Sequence, residues 1–193
     1  MQSHFDFDTD KLAGYLENNV AGFKGPLKAE KFAGGQSNPT FKITSASGEY
    51  VLRRKPPGEL LKSAHAVDRE FRVLSALANT EVPVVEVYHL CEDDSVIGSM
   101  FYLMEFKQGR VFWNPALPEA TNAERTEVFD QMNQVMVALH KVDVDTVGLS
   151  DYGRPSNYFV RQADRWSQQY RASETENIAE MDALIDWLPK NMP

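Results

Sequence analysis

Five small or polar residues in a row are the first feature of the sequence that suggests chemistry. They are Gly34, Gly35, Gln36, Ser37 and Asn38. Glycine allows positive φ and close approach of the backbone to a ligand, because it has no Cβ atom. Backbone N–H groups in such a turn can bind phosphate oxygens. The alternative is an ordinary tight hairpin turn, which the same residues would also form.

A basic cluster, Arg53-Arg54-Lys55, ends the strand that is predicted to return from this hairpin. Alternation along a strand places Arg53 and Lys55 on one face of the sheet and Arg54 on the other. A cation here could hold phosphate oxygens. The pattern alone leaves open which of the three residues does so, and whether the cluster is only a solvated strand end.

An acidic residue, Glu70, belongs to the helix that is best defined by its apolar spacing. Apolar residues recur in this helix at three- and four-residue steps: Leu60, Leu61, Ala64, Val67, Phe71, Leu74 and Leu77. Glu70 flanks this stripe, so it could face the sheet and meet a basic strand residue, as a buried carboxylate must. The alternative is a surface acid that pairs with Arg69 or Arg72.

Three segments in this order resemble one known family. GGQSNPTF, YVLRRKPPG and SAHAVDREFRVLSAL are similar to the amino-terminal lobe of the aminoglycoside phosphotransferase (APH)-like kinases. The resemblance is strongest to the phosphotransferases related to the kinase domain that is fused to acyl-CoA dehydrogenases. It covers nearly the whole chain, and it implies ATP and Mg²⁺ as cofactors.

The resemblance also implies roles for individual residues. Residues 34–38 would cover the nucleotide phosphates, and Arg53 would contact them where most kinases carry lysine. Arginine keeps the charge and adds a forked set of donors. We therefore expect the charged ends of Arg53 and Glu70 to approach each other at the nucleotide site, with Lys55 as the next candidate.

A second implied contact to the nucleotide is the hinge between lobes. Its residues would be Glu105, Phe106 and Lys107, whose backbone would bind the adenine edge. An edge strand running into a loop would have the same sequence pattern.

The implied fold class is α+β, with a protein-kinase-like N-lobe and the first helices of a helical C-lobe. The N-lobe would combine a five-stranded antiparallel sheet with the Glu70 helix, which corresponds to the αC helix of kinases. Strands are expected near residues 27–32, 39–45, 49–54, 84–91 and 99–106. The expected domains are an ATP-gripping lobe (1–106), a hinge and linker (107–118) and the beginning of an incomplete C-lobe (119–193).

Catalytic residues of the family have no match in this sequence. In the family, the base and the metal ligands lie in an HGDxxxxN loop and a later acidic motif. None of the histidines (His4, His65, His89 and His140) is followed by Gly-Asp or Arg-Asp. We therefore expect no catalytic or metal-binding residue in this chain, the Mg²⁺ ligands downstream of Pro193, and no activity of residues 1–193 alone. The alternatives are a non-catalytic nucleotide-binding module and a protein-interaction module.

Composition limits the partners. The net charge of −8 argues against nucleic acid or an anionic membrane as the main partner. A single cysteine, Cys91, excludes an internal disulfide and suits a cytoplasmic protein. The resemblance implies a small hydroxyl-bearing acceptor, either an aminoglycoside, another amino sugar or alcohol, or a hydroxyacyl compound. Self-association is expected through apolar residues of the late helices, namely Phe129, Met132, Met136, Trp166, Tyr170, Ile185 and Leu188.

Overall fold

The computed structural model describes residues 7–33, 38–56, 65–153 and 156–192. The chain forms two compact units, Met1–Val147 and Gly148–Pro193. The lobe boundary at residues 107–118 stays a prediction.

The first unit contains a five-stranded antiparallel sheet in the order β1-β2-β3-β5-β4. Its strands are β1 (Leu27–Lys31), β2 (Thr40–Ser45), β3 (Gly48–Arg54), β4 (Val87–Cys91) and β5 (Phe101–Glu105). The five predicted strands and the α+β class are confirmed. Strand β4 begins at Val87 rather than near residue 84, and its pairing with β5 is irregular between Val87 and His89.

Helices lie against both faces of this sheet. Helix α1 (Thr9–Asn19) is capped by Asp8, whose side chain accepts hydrogen bonds from the N–H groups of Asp10 and Lys11. Its buried side chains share a core with one face of the sheet: Leu12 and Leu16 with Phe41, Ile43, Leu52, Phe101 and Leu103. Helix α2 (Val67–Leu77) packs against β4 and β5. The part of this helix predicted around Leu60 to Ala64 lies outside the described residues.

The segment between β4 and β5 is partly helical. It contains a one-turn helix, α3 (Asp94–Ile97), which is capped by the Asp93 side chain. Gly98 ends this helix with φ of 84°, a conformation that glycine adopts without strain. Val96 and Ile97 are buried, so the turn contributes to the core.

The second half of the chain is helical, as predicted. Helix α4 (Asn122–His140) begins with a capping box between Thr121 and Glu124. The second unit holds α5 (Tyr158–Ser173), α6 (Ala179–Trp187) and a 3₁₀ turn (Leu188–Lys190). Of the apolar residues expected to be exposed, Phe129, Met132, Met136 and Trp166 are more than half exposed. Within the described residues, we find no helix with the length and apolar character needed to cross a membrane.

Candidate functional site

An ion pair joins strand β3 to helix α2. Arg53 Nε donates to Glu70 Oε2 at 2.6 Å, and Arg53 Nη2 donates to Glu70 Oε1 at 3.2 Å. Both side chains are about one-third exposed, at 31% and 34%. The forked guanidinium therefore meets both carboxylate oxygens, which is the strong geometry for such a pair. The predicted approach of Arg53 and Glu70 is confirmed, whereas a nucleotide site at this pair stays a prediction.

Two further side chains donate to the Glu70 carboxylate. Asn38 Nδ2 donates to Oε1 at 2.9 Å, and the Tyr102 hydroxyl donates to Oε2 at 3.1 Å. Glu70 accepts each of these four hydrogen bonds, as an ionised carboxylate does. Burial, and then the nearby Glu70 charge, raise the pKa of Tyr102, so its hydroxyl keeps the proton that it donates. The hydrogen bond to Glu70 raises the pKa of Arg53.

Strand register explains why these side chains meet. Arg53 is paired with Thr40 on β2 and with Tyr102 on β5, so the three side chains lie in one row on one face of the sheet. Arg53 Nη1 donates to Thr40 Oγ1 at 3.0 Å. Helix α2 packs against β4 and β5, where the centroids of the Phe71 and Tyr102 rings lie 6.1 Å apart. The helix thereby brings Glu70 over this row.

The neighbouring row on this face is largely apolar. Val51 is paired with Lys42 on β2 and with Met104 on β5, and Met104 is paired with Val87 on β4. Lys42 Nζ lies 4.4 Å from the centre of the Phe106 ring and 2.6 Å from Glu49 Oε1. This apolar row lies next to the row of Arg53, so the two together have room for a flat ring that carries an anionic group.

The structure separates the three basic residues at the end of β3. Arg54 is only 2% exposed and lies on the opposite face, where its Nε donates to Ser99 Oγ at 2.9 Å. Lys55 Nζ lies 3.8 Å from Asp68 Oδ1. Of the three, Arg53 is the one that contacts Glu70, which supports it as the site cation.

The predicted hinge begins at Glu105, the last residue of β5. The Glu105 backbone N–H donates to the Glu86 carbonyl, which extends the pairing with β4. Lys107 Nζ lies 2.5 Å from Glu105 Oε1, and this contact lowers the pKa of Glu105. The adenine-binding role of Glu105, Phe106 and Lys107 stays a prediction.

Most of the glycine-rich segment lies outside the part of the chain that the structure describes. Gly34, Gly35, Gln36 and Ser37 lie outside the described residues, so their phosphate role stays a prediction. Asn38, the last residue of the motif, is 5% exposed, and its side chain turns toward Glu70 instead of solvent.

Sequence reasoning missed three residues of this cluster: Thr40, His65 and Tyr102. Thr40 and Tyr102 could have been found by pairing the predicted strands in register with Arg53. His65 carried no such signal, because its contact with Asn38 depends on how the chain enters α2.

Metal-binding residues were not expected in this chain. Among residues 7–33, 38–56, 65–153 and 156–192, no three histidine, cysteine, aspartate or glutamate side chains are grouped so that they could hold a metal ion. The Arg53–Glu70 pair offers a cation and a carboxylate, and their use in positioning a nucleotide stays a prediction.

Comparisons with known proteins place this geometry in a family. The model of the phosphotransferase enzyme family (APH) matches residues 28–193. A solved structure from Ralstonia eutropha, named a "putative aminoglycoside phosphotransferase", is 52% identical, with a TM-score of 0.79. That match covers 97% of this chain and 54% of the solved chain.

Curated relatives carry a different name. The "Probable acyl-CoA dehydrogenase IBR3" of Arabidopsis thaliana is 48% identical over 100% of this chain and 25% of the relative. "Acyl-CoA dehydrogenase family member 10" of Mus musculus is 45% identical over 95% of this chain and 17% of the relative. The chain thus spans only a minor part of these relatives. The family match over residues 28–193 shows that the chain belongs to the APH phosphotransferase enzyme family.

Proposed function

We propose that this chain is the nucleotide-binding part of an ATP-dependent phosphotransferase that moves the γ-phosphoryl group to a hydroxyl of a small molecule. The observation that carries the proposal is the bidentate Arg53–Glu70 pair between β3 and α2. Kinase-type sites use a strand cation paired with a helix acid in this arrangement to hold nucleotide phosphates.

The surroundings of Arg53 suit a phosphate-binding role. Its guanidinium is held by Glu70 and Thr40, yet the side chain remains 31% exposed. A held cation needs little reorganisation when an anion arrives, which favours binding. The adjacent row of Val51, Met104 and Val87 would face the base, and the segment from Glu105 to Lys107 would bind its edge.

Binding and transfer should be separable in this chain. Phosphoryl transfer depends almost entirely on positioning and on neutralising charge, for which kinases use Mg²⁺ and an aspartate base. The sequence has no counterpart of the HGDxxxxN loop, and the described residues hold no metal-ligand cluster. We therefore propose that residues 1–193 alone bind ATP weakly and do not transfer phosphate.

The acceptor is proposed at the level of chemical class. Family membership favours a small hydroxyl-bearing compound, such as an aminoglycoside or an amino alcohol. The curated relatives are named as acyl-CoA dehydrogenases, which favours a hydroxyacyl compound among these classes.

The test is calorimetry with ATP, together with a phosphate-transfer assay over the candidate hydroxyl compounds. We expect an ATP dissociation constant in the high-micromolar to millimolar range, about −4 to −5.5 kcal/mol. No measurable ATP binding at millimolar concentration would refute the nucleotide assignment. Turnover by residues 1–193 would refute the separation of binding from transfer.

A second candidate function is protein interaction, including self-association. The observation that favours it is the exposed apolar surface of α4, where Phe129, Met132 and Met136 are 53%, 61% and 51% exposed. Exposed apolar patches of this kind mark interaction surfaces. This function could accompany nucleotide binding or replace it.

A further inference from the structure

A chain of hydrogen bonds leads from the start of α2 to the ion pair. His65 Nδ1 lies 2.9 Å from Asn38 Oδ1, and Asn38 Nδ2 lies 2.9 Å from Glu70 Oε1. Asn38 is 5% exposed, so its side-chain amide is largely shielded from water. The side chain links a residue just before α2 to a carboxylate inside α2.

The direction of this chain is fixed by chemistry. An ionised carboxylate only accepts hydrogen bonds, so the Asn38 NH₂ group must face Glu70. The Asn38 carbonyl oxygen then faces His65 and needs a donor, so His65 Nδ1 must carry a proton. If His65 offered only an acceptor, the Asn38 amide would be drawn toward it and away from Glu70.

We propose that Asn38 is a positioning residue that holds the Glu70 carboxylate in register with Arg53, and that His65 sets the orientation of the Asn38 amide. This deepens the proposed function, because it depends on Arg53 being the cation that meets phosphate. The inference assigns the Asn38 side chain to Glu70 rather than to the nucleotide. Both polar ends of the buried amide are already used within the protein.

The backbone at His65 makes a matched pair of variants possible. His65 has φ of 60°, in the left-handed region where asparagine and aspartate, like histidine, occur more often than other residues with a Cβ atom. In His65→Asn, an amide nitrogen bonded to Cγ replaces Nδ1 and can still donate to Asn38. In His65→Asp, an acceptor takes this place with nearly the same shape.

The experiment measures hydrogen exchange of the Arg53 Nε–H group by NMR, without nucleotide, so that repulsion of phosphate plays no part. Arg53→Lys identifies the signal by its loss. We expect His65→Asn to keep the hydrogen-exchange protection of Arg53 Nε–H within about threefold of wild type. His65→Asp should lower this protection roughly tenfold or more. Asn38→Leu, which removes the amide and adds no charge, should give the same loss as His65→Asp.

ATP affinity in the same variants connects the chain to binding. We expect His65→Asn to bind ATP like wild type and Asn38→Leu to bind it roughly tenfold more weakly. Protection in Asn38→Leu equal to wild type would overturn the role of Asn38, and equal protection in the two His65 variants would overturn that of His65. Failure of the proposed function would look different, since the wild type itself would then not bind ATP.

Discussion

Removing the Glu70 carboxylate should destabilise the sheet more than removing the other acid in the first turn of α2. The variant is Glu70→Ala. It deletes the acceptor of four hydrogen bonds, two of them from the Arg53 guanidinium. It also leaves the hydroxyl of Tyr102, a residue only 2% exposed, without the acceptor it has on Glu70.

The magnitude follows from these contacts. Hydrogen bonds to charged groups contribute about 1.5–3 kcal/mol each when shielded, and a buried unsatisfied donor costs about 1–3 kcal/mol. The Arg53–Glu70 pair is one-third exposed, so solvent screening reduces its contribution. We expect Glu70→Ala to lower the free energy of unfolding by about 2–4 kcal/mol, and Glu70→Gln by about 1–2 kcal/mol.

Asp68→Ala is the matched control. Asp68 lies in the same first turn, so its loss removes a similar interaction with the helix dipole. Its Oδ1 atom lies 3.8 Å from Lys55 Nζ and accepts no hydrogen bond from the described residues, so we expect a cost below about 1 kcal/mol.

The assay should report on the sheet itself. All three tryptophans, Trp113, Trp166 and Trp187, lie outside the strands, so their fluorescence would miss it. Native-state hydrogen exchange of the β3 and β5 amides measures the opening free energy directly. Equal losses in Glu70→Ala and Asp68→Ala would refute the account of this network.

Three further predictions concern other parts of the chain. Gly98→Ala should lower the free energy of unfolding by about 1–2 kcal/mol because φ is 84°, whereas Gly14→Ala in α1 should raise it by about 0.5–1 kcal/mol. Thermal unfolding measures both changes, and a shift of the same sign in the two variants would contradict the backbone argument. Hydrogen bonds from Thr121 lower the pKa of Glu124 below 4.5. The ionised carboxylate therefore stabilises α4 above that pH, and this stabilisation is lost as the pH falls through the lowered pKa. Glu124→Gln should flatten this pH dependence in α4 hydrogen exchange, and an unchanged pH profile would contradict it. Met132→Glu on the exposed stripe of α4 should reduce self-association measured by light scattering, and a wild-type chain that stays monomeric at high concentration would contradict the expectation.

Much of the sheet could be predicted because its signals are local. Apolar alternation and turn residues mark each strand, and the antiparallel order follows from the family resemblance. The Arg53–Glu70 contact could be predicted too, since Glu70 flanks an apolar stripe that must face the sheet. The one-turn helix at Asp94–Ile97 was missed because four residues are too few for a helical period to show.

The remaining contacts of the site could not be predicted, because they depend on register and on tertiary geometry. Asparagine is a common residue in turns, and only the folded chain shows that the Asn38 amide is buried against Glu70, 32 residues away. His65 contacts Asn38 from a left-handed backbone conformation, which is uncommon for residues with a Cβ atom and is not marked in the sequence.

The central claim is that Arg53 is the cation that meets the nucleotide phosphates. Calorimetry with ATP on the wild type, Arg53→Ala, Lys55→Ala and Lys28→Ala tests it most directly. Lys28 lies exposed on β1 and controls for the loss of one positive charge. We expect Arg53→Ala to weaken ATP binding by about 1.5–3 kcal/mol, and each of the other two variants to change it by less than about 0.5 kcal/mol. Equal ATP affinity in Arg53→Ala and the wild type would contradict the account, and a selective loss in Lys55→Ala would move the site to Lys55.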